Sequence, residues 1–181
     1  MIIGGSLGAL KINLAVRAAL DDLLKTFHIA HICGSGKMDE KYQNIEGYRQ
    51  FEYVREELPD LFAAADLMIS RAGANVINEL AAIKKPAILI PLGTDQSRGD
   101  QILNAQSFER RGFSAVLKEA DLTEDSLTNL VHEVYENRDS YIRAMSEAGQ
   151  EDASALVTEV ILSVMKNKHN RSAGQPRPGR K

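Results

Sequence analysis

The sequence predicts an α/β fold: a Rossmann-like, doubly wound parallel sheet of about six strands, with helices on both faces. Three observations carry that expectation. Short apolar runs alternate with stretches of helical periodicity as far as residue 117. The joints between them are rich in glycine and alanine, GGSLGA at 4–9 and SRAGAN at 70–75 being the clearest. With 181 residues and a hydrophobic content of 44%, the chain can bury the core of one such domain.

Taken in order, the runs at 1–3, 28–33, 51–54, 67–70, 87–91 and 114–117 read as strands. The first is short against the roughly five residues usual for a strand, as though the chain opened inside an element. Ile12, Val16, Leu20 and Leu23 then recur at helical spacing and form an apolar stripe. Leu58, Leu61 and Phe62 make the face of a short helix, and Val76, Leu80 and Ile83 that of the next. Ile102, Ala105 and Phe108 do the same for a third, which Gly112 ends. Past 117 the pattern is helical only. Thr123 has the character of an N-cap, with Leu127, Leu130, Val131 and Val134 behind it, and Leu156, Val160, Ile161 and Val164 mark a last helix. From 166 the chain reads KNKHNRSAGQPRPGRK, which is basic and has no large apolar side chain to bury. The expectation is one domain over 1–165 and a disordered tail over 166–181. Contact of that tail with an anionic surface is its functional alternative.

The formal net charge of -3 argues against a nucleic-acid-binding face. The single cysteine, Cys33, lies in an apolar run and reads as a small core residue. A disulfide framework within the chain is thereby excluded, which suits a reducing cytoplasm. No apolar run approaches the roughly 18 residues of a membrane span. The first residues pass directly into glycine, unlike a signal peptide.

In an open parallel sheet, ligands bind beyond the carboxyl ends of the strands, where the strand order switches. The loops there follow Ile3, Cys33, Val54, Ser70 and Pro91. In the first of them, Gly5, Ser6, Leu7 and Gly8 let a phosphate approach the backbone, and the following helix start offers free N–H groups. The stretch is neither GxGxxG nor a P-loop, so a tight turn explains it nearly as well. A second helix start follows Arg71 and Gly73, with Ala74, Asn75 and Val76 in its opening turn. Two such openings can neutralise a diphosphate without a metal ion. The chain contains no Asp-x-Asp pair of the kind that holds a divalent ion on a nucleotide sugar. Glu79, one turn further on, can accept from both hydroxyls of a ribose; an ordinary exposed helix glutamate is the other reading. Asp100, Gln101 and Asn104 lie in or just beyond a polar loop dense in side chains that hold sugar hydroxyls. A plain surface loop is the alternative there.

The histidines fall elsewhere. His28 and His31 point to opposite faces of one strand, His132 lies in a helix and His169 in the tail. Glu79, Asp95 and Asp100 are the nearby carboxylates, and they are better placed to hold hydroxyls than to act as a base. The residues therefore offer a donor pocket with no catalytic base, no metal site and no cofactor.

Five blocks, in order, carry a family resemblance: GGSLGA at 4–9, FEYV at 51–54, DLFAAADLMISRAGANVINELA at 60–81, PAILIPL at 86–92 and SRGDQILNAQSFERRG at 97–112. They resemble the MurG family, bacterial N-acetylglucosaminyltransferases that convert lipid I to lipid II in peptidoglycan synthesis. The resemblance runs from residue 1 to about 164 and implies the C-terminal, UDP-GlcNAc-binding half of a GT-B enzyme. It implies that Ser6 binds the diphosphate through backbone and hydroxyl, and that Ala74, Asn75 and Val76 offer N–H groups to phosphate. It further implies that Val54 pairs with uracil through its backbone, that Glu79 holds the ribose, and that Asp100 and Gln101 contact the GlcNAc hydroxyls. Arg71 and Gly73 would shape the second loop.

The family's other half, which holds lipid I and carries the base-candidate histidine and the membrane-facing patch, has no counterpart here. The chain is thus expected to bind nucleotide but to be inactive without an acceptor domain, supplied in the same chain or by a partner. Its expected place is cytoplasmic, at the inner face of the membrane, with self-association possible through the uncovered cleft side. Two other readings stay open: a non-catalytic nucleotide-sugar-binding subunit working with a separate acceptor-binding partner, and a dinucleotide-dependent oxidoreductase. The second lacks an acid at the end of a second strand, Asp21 and Asp22 lying within the first helix instead.

Overall fold

The structure, a computed structural model, describes residues 1–5, 9–93 and 99–148. The chain divides into two compact units, Met1–Met145 and Ser146–Lys181, and every element below belongs to the first. The loop residues Ser6, Leu7 and Gly8, Asp95, the last helix expected near 156–164 and the basic tail lie outside the described residues.

Six strands form one sheet: β1 (Ile2–Ile3), β2 (Ile29–Ile32), β3 (Tyr48–Phe51), β4 (Met68–Ser70), β5 (Ala87–Leu89) and β6 (Ala115–Val116). Every pairing is parallel, and the order is β3-β2-β1-β4-β5-β6. The chain steps outward from β1 to β3, returns to the other side of β1, and steps outward again to β6. The switch therefore lies between β1 and β4, and the doubly wound expectation holds.

The helices are α1 (Leu10–Ala18), α2 (Leu20–Leu23), α3 (Leu58–Ala64), α4 (Ala74–Ala82), α5 (Asp100–Arg110) and α6 (Glu124–Glu136). Ile12, Val16, Leu20 and Leu23 are all buried, but the helix they were expected to share breaks at Ala19 into α1 and α2. These side chains meet Leu127, Val131 and Val134 of α6 over one face of the sheet, with Ile2, Ile69 and Ile88 beneath. Side chains alternate along each strand, so Met68 and Leu89 point to the opposite face. At about 0.8 kcal/mol per buried CH2, this packing is the main source of the fold's stability.

Three sequence expectations need correction. The third strand is Tyr48–Phe51, three residues earlier than 51–54. Its YRQF sequence hides the strand because the inward Gln50 is polar and satisfied by a hydrogen bond instead of apolar packing. In α4 the buried residues are Ile77 and Leu80, while Ile83 at its C-cap is 47% exposed. In α3 none of Leu58, Leu61 and Phe62 is fully buried, so this short helix covers the sheet only loosely.

Candidate functional site

A cavity of about 1040 Å³ opens beyond the carboxyl ends of β1 and β4, at the switch point. Its walls come from the starts of two helices. Gly4, Gly5, Ala9 and Leu10 lead into α1, and Gly73, Ala74, Asn75 and Val76 lead into α4. The local sequence dictates the first turn. Gly4 passes so close to Ala9 that a Cβ would sit 2.6 Å from the Ala9 nitrogen, and Gly5 has a φ of +88°. Gly73 is different. Its φ of -68° is ordinary, and a Cβ there would meet nothing within 4 Å. The fold does not require glycine at 73, and a Cβ there would point into open space beside the helix start.

A first turn without an acid separates these helices from the rest. Neither Ala9 before α1 nor Gly73 before α4 provides a side-chain cap, and neither first turn contains an acid. By contrast α6, whose start does not line the cavity, has a reciprocal capping box between Thr123 and Ser126, then Glu124 and Asp125. The starts of α1 and α4 at the cavity thus lack both a side-chain cap and an acid beside the positive dipole end, the arrangement that receives an anion.

Buried polar contacts hold α1 in place. Asn13 Nδ2 donates to the Cys33 carbonyl (2.9 Å), and Asn13 Oδ1 lies 3.0 Å from His31 Nε2. That oxygen can only accept, so Nε2 carries the proton and Nδ1 accepts from the Tyr48 hydroxyl at 2.8 Å. Burial, reinforced by the Arg17 charge, pushes the His31 pKa down to about 3, so the ring is neutral. Arg17 Nη2 donates to Gln50 Oε1 (2.7 Å) and to the Lys37 carbonyl (2.6 Å), which fixes the loop that brings Lys37 to the cavity. Cys33 is buried and its thiol pKa is raised, chiefly by desolvation.

Of the residues singled out in the sequence, the cavity gathers Gly5, Arg71, Gly73, Ala74, Asn75, Val76 and Gln101. Arg71 is not available to a ligand. Its guanidinium is buried, donates to the Ile90 carbonyl (3.1 Å), and pairs with Glu119 at 2.5 Å. It ties the ends of β4, β5 and β6 together. Gln101 Oε1 accepts from the Leu92 nitrogen (3.1 Å), and Asn104 Nδ2 donates to the Ala72 carbonyl (3.0 Å), so both brace the loops around the site. Glu79 and Asp100 are exposed and Val54 is buried, and none of them lines the cavity. Sequence reasoning missed Lys11, Lys37 and Glu119, which do line it. Lys11 carried a signal, a cation in a helix's first turn. Glu119 carried none, since its partner Arg71 is 48 residues away. Among the described residues no histidine lines the cavity, and its one carboxylate, Glu119, is engaged by Arg71 and Lys11.

Comparison with known proteins decides the family. The profile of the glycosyltransferase family 28 C-terminal domain matches residues 1–160. The chain belongs to that family. Similar sequences include a UDP-N-acetylglucosamine--N-acetylmuramyl-(pentapeptide) pyrophosphoryl-undecaprenol N-acetylglucosamine transferase from Clostridium botulinum (strain 657 / Type Ba4). This family member is 54% identical over 92% of the chain and 47% of its own length. The transferase of the same description from Lachnoclostridium phytofermentans is 55% identical over 91% of the chain and 46% of its own length. The crystal structure of Acinetobacter baumannii MurG superposes with a TM-score of 0.69 at 26% identity, covering 90% of this chain and 48% of that one. The fold is that of one half of a GT-B glycosyltransferase, and the chain spans about half the length of the curated relatives it matches.

Proposed function

We propose that this chain is the donor-binding domain of a lipid II-forming N-acetylglucosaminyltransferase, and that it binds UDP-GlcNAc across the cavity between β1 and β4. The carrying observation is the pair of uncapped, acid-free helix starts lining one space at the switch point. Such a site suits a diphosphate, held by backbone N–H groups of Ala74, Asn75 and Val76 on one side and by the Ser6 loop on the other. Glu79 would take the ribose, the Val54 backbone the uracil, and Asp100, Gln101 and Asn104 the amino sugar or the loops that shape its subsite. The domain extends over 1–165 in this reading, with 166–181 a tail.

In the transfer itself, the 4-hydroxyl of a muramyl sugar attacks the anomeric carbon with inversion. The carbon–oxygen bond to UDP breaks, and the hydroxyl proton passes to a base. This chain's share is to stabilise the charge that develops on the departing diphosphate, using donors fixed before the reaction. The base and the lipid I site belong to the acceptor half. Among the described residues no helix is long and apolar enough to cross a membrane. The reading places the chain at the inner membrane face through that half.

Calorimetric titration with UDP-GlcNAc, UDP and NADH tests the proposal. Binding of both uridine nucleotides and none of NADH is expected, and Glu79→Ala should weaken UDP by ~1–3 kcal/mol. Preference for NADH would point to a dinucleotide enzyme and overturn it.

A further inference from the structure

We propose that Lys11 is a phosphate-binding side chain of this site, one that exchanges its present contact with Glu119 for the diphosphate of the ligand. The inference rests on the nucleotide-binding reading above and adds a residue to it.

Three observations converge on Lys11. Its Nζ lies 3.4 Å from Glu119 Oε2, but its side chain is 61% exposed, whereas Arg71 meets the other oxygen of that carboxylate at 2.5 Å and is only 11% exposed. Glu119 is therefore neutralised by Arg71, and the Lys11 contact is a long, solvent-facing pair of the kind that contributes little. Such a contact is released at little cost. Second, Lys11 stands in the opening turn of α1, where no acid accompanies it. A cation at that end is opposed by the helix dipole, so the local structure gives no reason for it. Third, it lines the same cavity as the uncapped start of α4. Arg71 and Glu119 cancel each other, and Lys11 adds a full positive charge to the two positive helix ends. The complementary ligand is a compact anion of more than one charge, a nucleoside diphosphate, and the group contacted is phosphate, not base or sugar.

The test compares wild type, Lys11→Met and Lys11→Arg by calorimetric titration with UDP and with uridine, at ~50 and ~200 mM salt. Thermal melts establish that each variant is folded. Lys11→Met is expected to weaken UDP about ten-fold, equivalent to about 1.4 kcal/mol. It should also flatten the salt dependence while leaving uridine unchanged, and Lys11→Arg should retain most of the affinity. If wild type binds UDP and Lys11→Met binds it within about two-fold at both salt levels, the Lys11 assignment is overturned and the functional reading stands. If wild type binds no UDP, the functional reading itself fails, and this inference with it.

Discussion

Arg71 and Glu119 face each other with side chains only 11% and 7% exposed, between the ends of strands that lie apart in sequence. Their value to the fold is not the attraction alone, because desolvating both charges opposes it. It lies in what is left behind when one is removed. Arg71→Met strands a buried carboxylate and the Ile90 carbonyl, and should cost about 3–5 kcal/mol in urea unfolding. Arg71→Met/Glu119→Gln should recover part of that loss. A single-variant cost below about 1 kcal/mol would mean that solvent reaches the pair freely. His31 gives a prediction of a different kind. Its folded pKa of about 3 lies below the ordinary 6.5, because burial, then the Arg17 charge, disfavours the imidazolium. A depressed basic group leaves the native state neutral while the unfolded chain takes up a proton. Its contribution is therefore intact above pH 6.5 and is lost as pH falls from 6.5 toward 3, at up to about 1.4 kcal/mol per pH unit. The difference between wild type and His31→Gln isolates the histidine: it should shrink on acidification, and parallel pH profiles would refute the assignment.

Among elements, the helix starts differ in what they leave undone. α6 satisfies its own first turn, so Thr123→Ala should cost about 1 kcal/mol in thermal unfolding and leave UDP affinity alone. α4 begins at Gly73 without a cap. Gly73→Ser supplies one, and because a Cβ there meets no neighbour, the variant should melt no lower than wild type while binding UDP more weakly. Equal affinity would show that the space beside Gly73 is not where the ligand sits. The same elements explain what was legible in the sequence. Thr123 declared its helix because capping is written in adjacent residues. The GGSLGA joint declared its helix because the close approach of Gly4 to Ala9 demands small side chains. The third strand was displaced because the polar Gln50 masks its inward face, and a partner such as Arg17 cannot be seen from 33 residues away. Glu119 stayed hidden for the same reason, since the fold alone brings it to Lys11 over 108 residues and to Arg71 over 48.

For the whole molecule, the fold supplies a cavity whose only carboxylate among the described residues is already engaged. Nucleotide binding and sugar transfer should therefore separate. Incubated with UDP-GlcNAc and a lipid I analogue, the chain alone is expected to give no measurable product. Addition of the N-terminal half of a related enzyme should restore turnover, followed by release of UDP. Turnover by the chain alone would place a base within it that the described residues lining the cavity do not provide.

The middle of the sheet is slender. β1 contributes only Ile2 and Ile3, yet it joins β2 and β3 on one side to β4, β5 and β6 on the other. The cavity straddles that same seam. A molecule gripped by both helix openings would act as a staple across it, so nucleotide should slow amide exchange most at Ile2, Ile3 and their neighbours in β2 and β4, far more than at the outer strands. The site and this slender seam of the scaffold coincide, and occupancy of one should be readable as rigidity of the other.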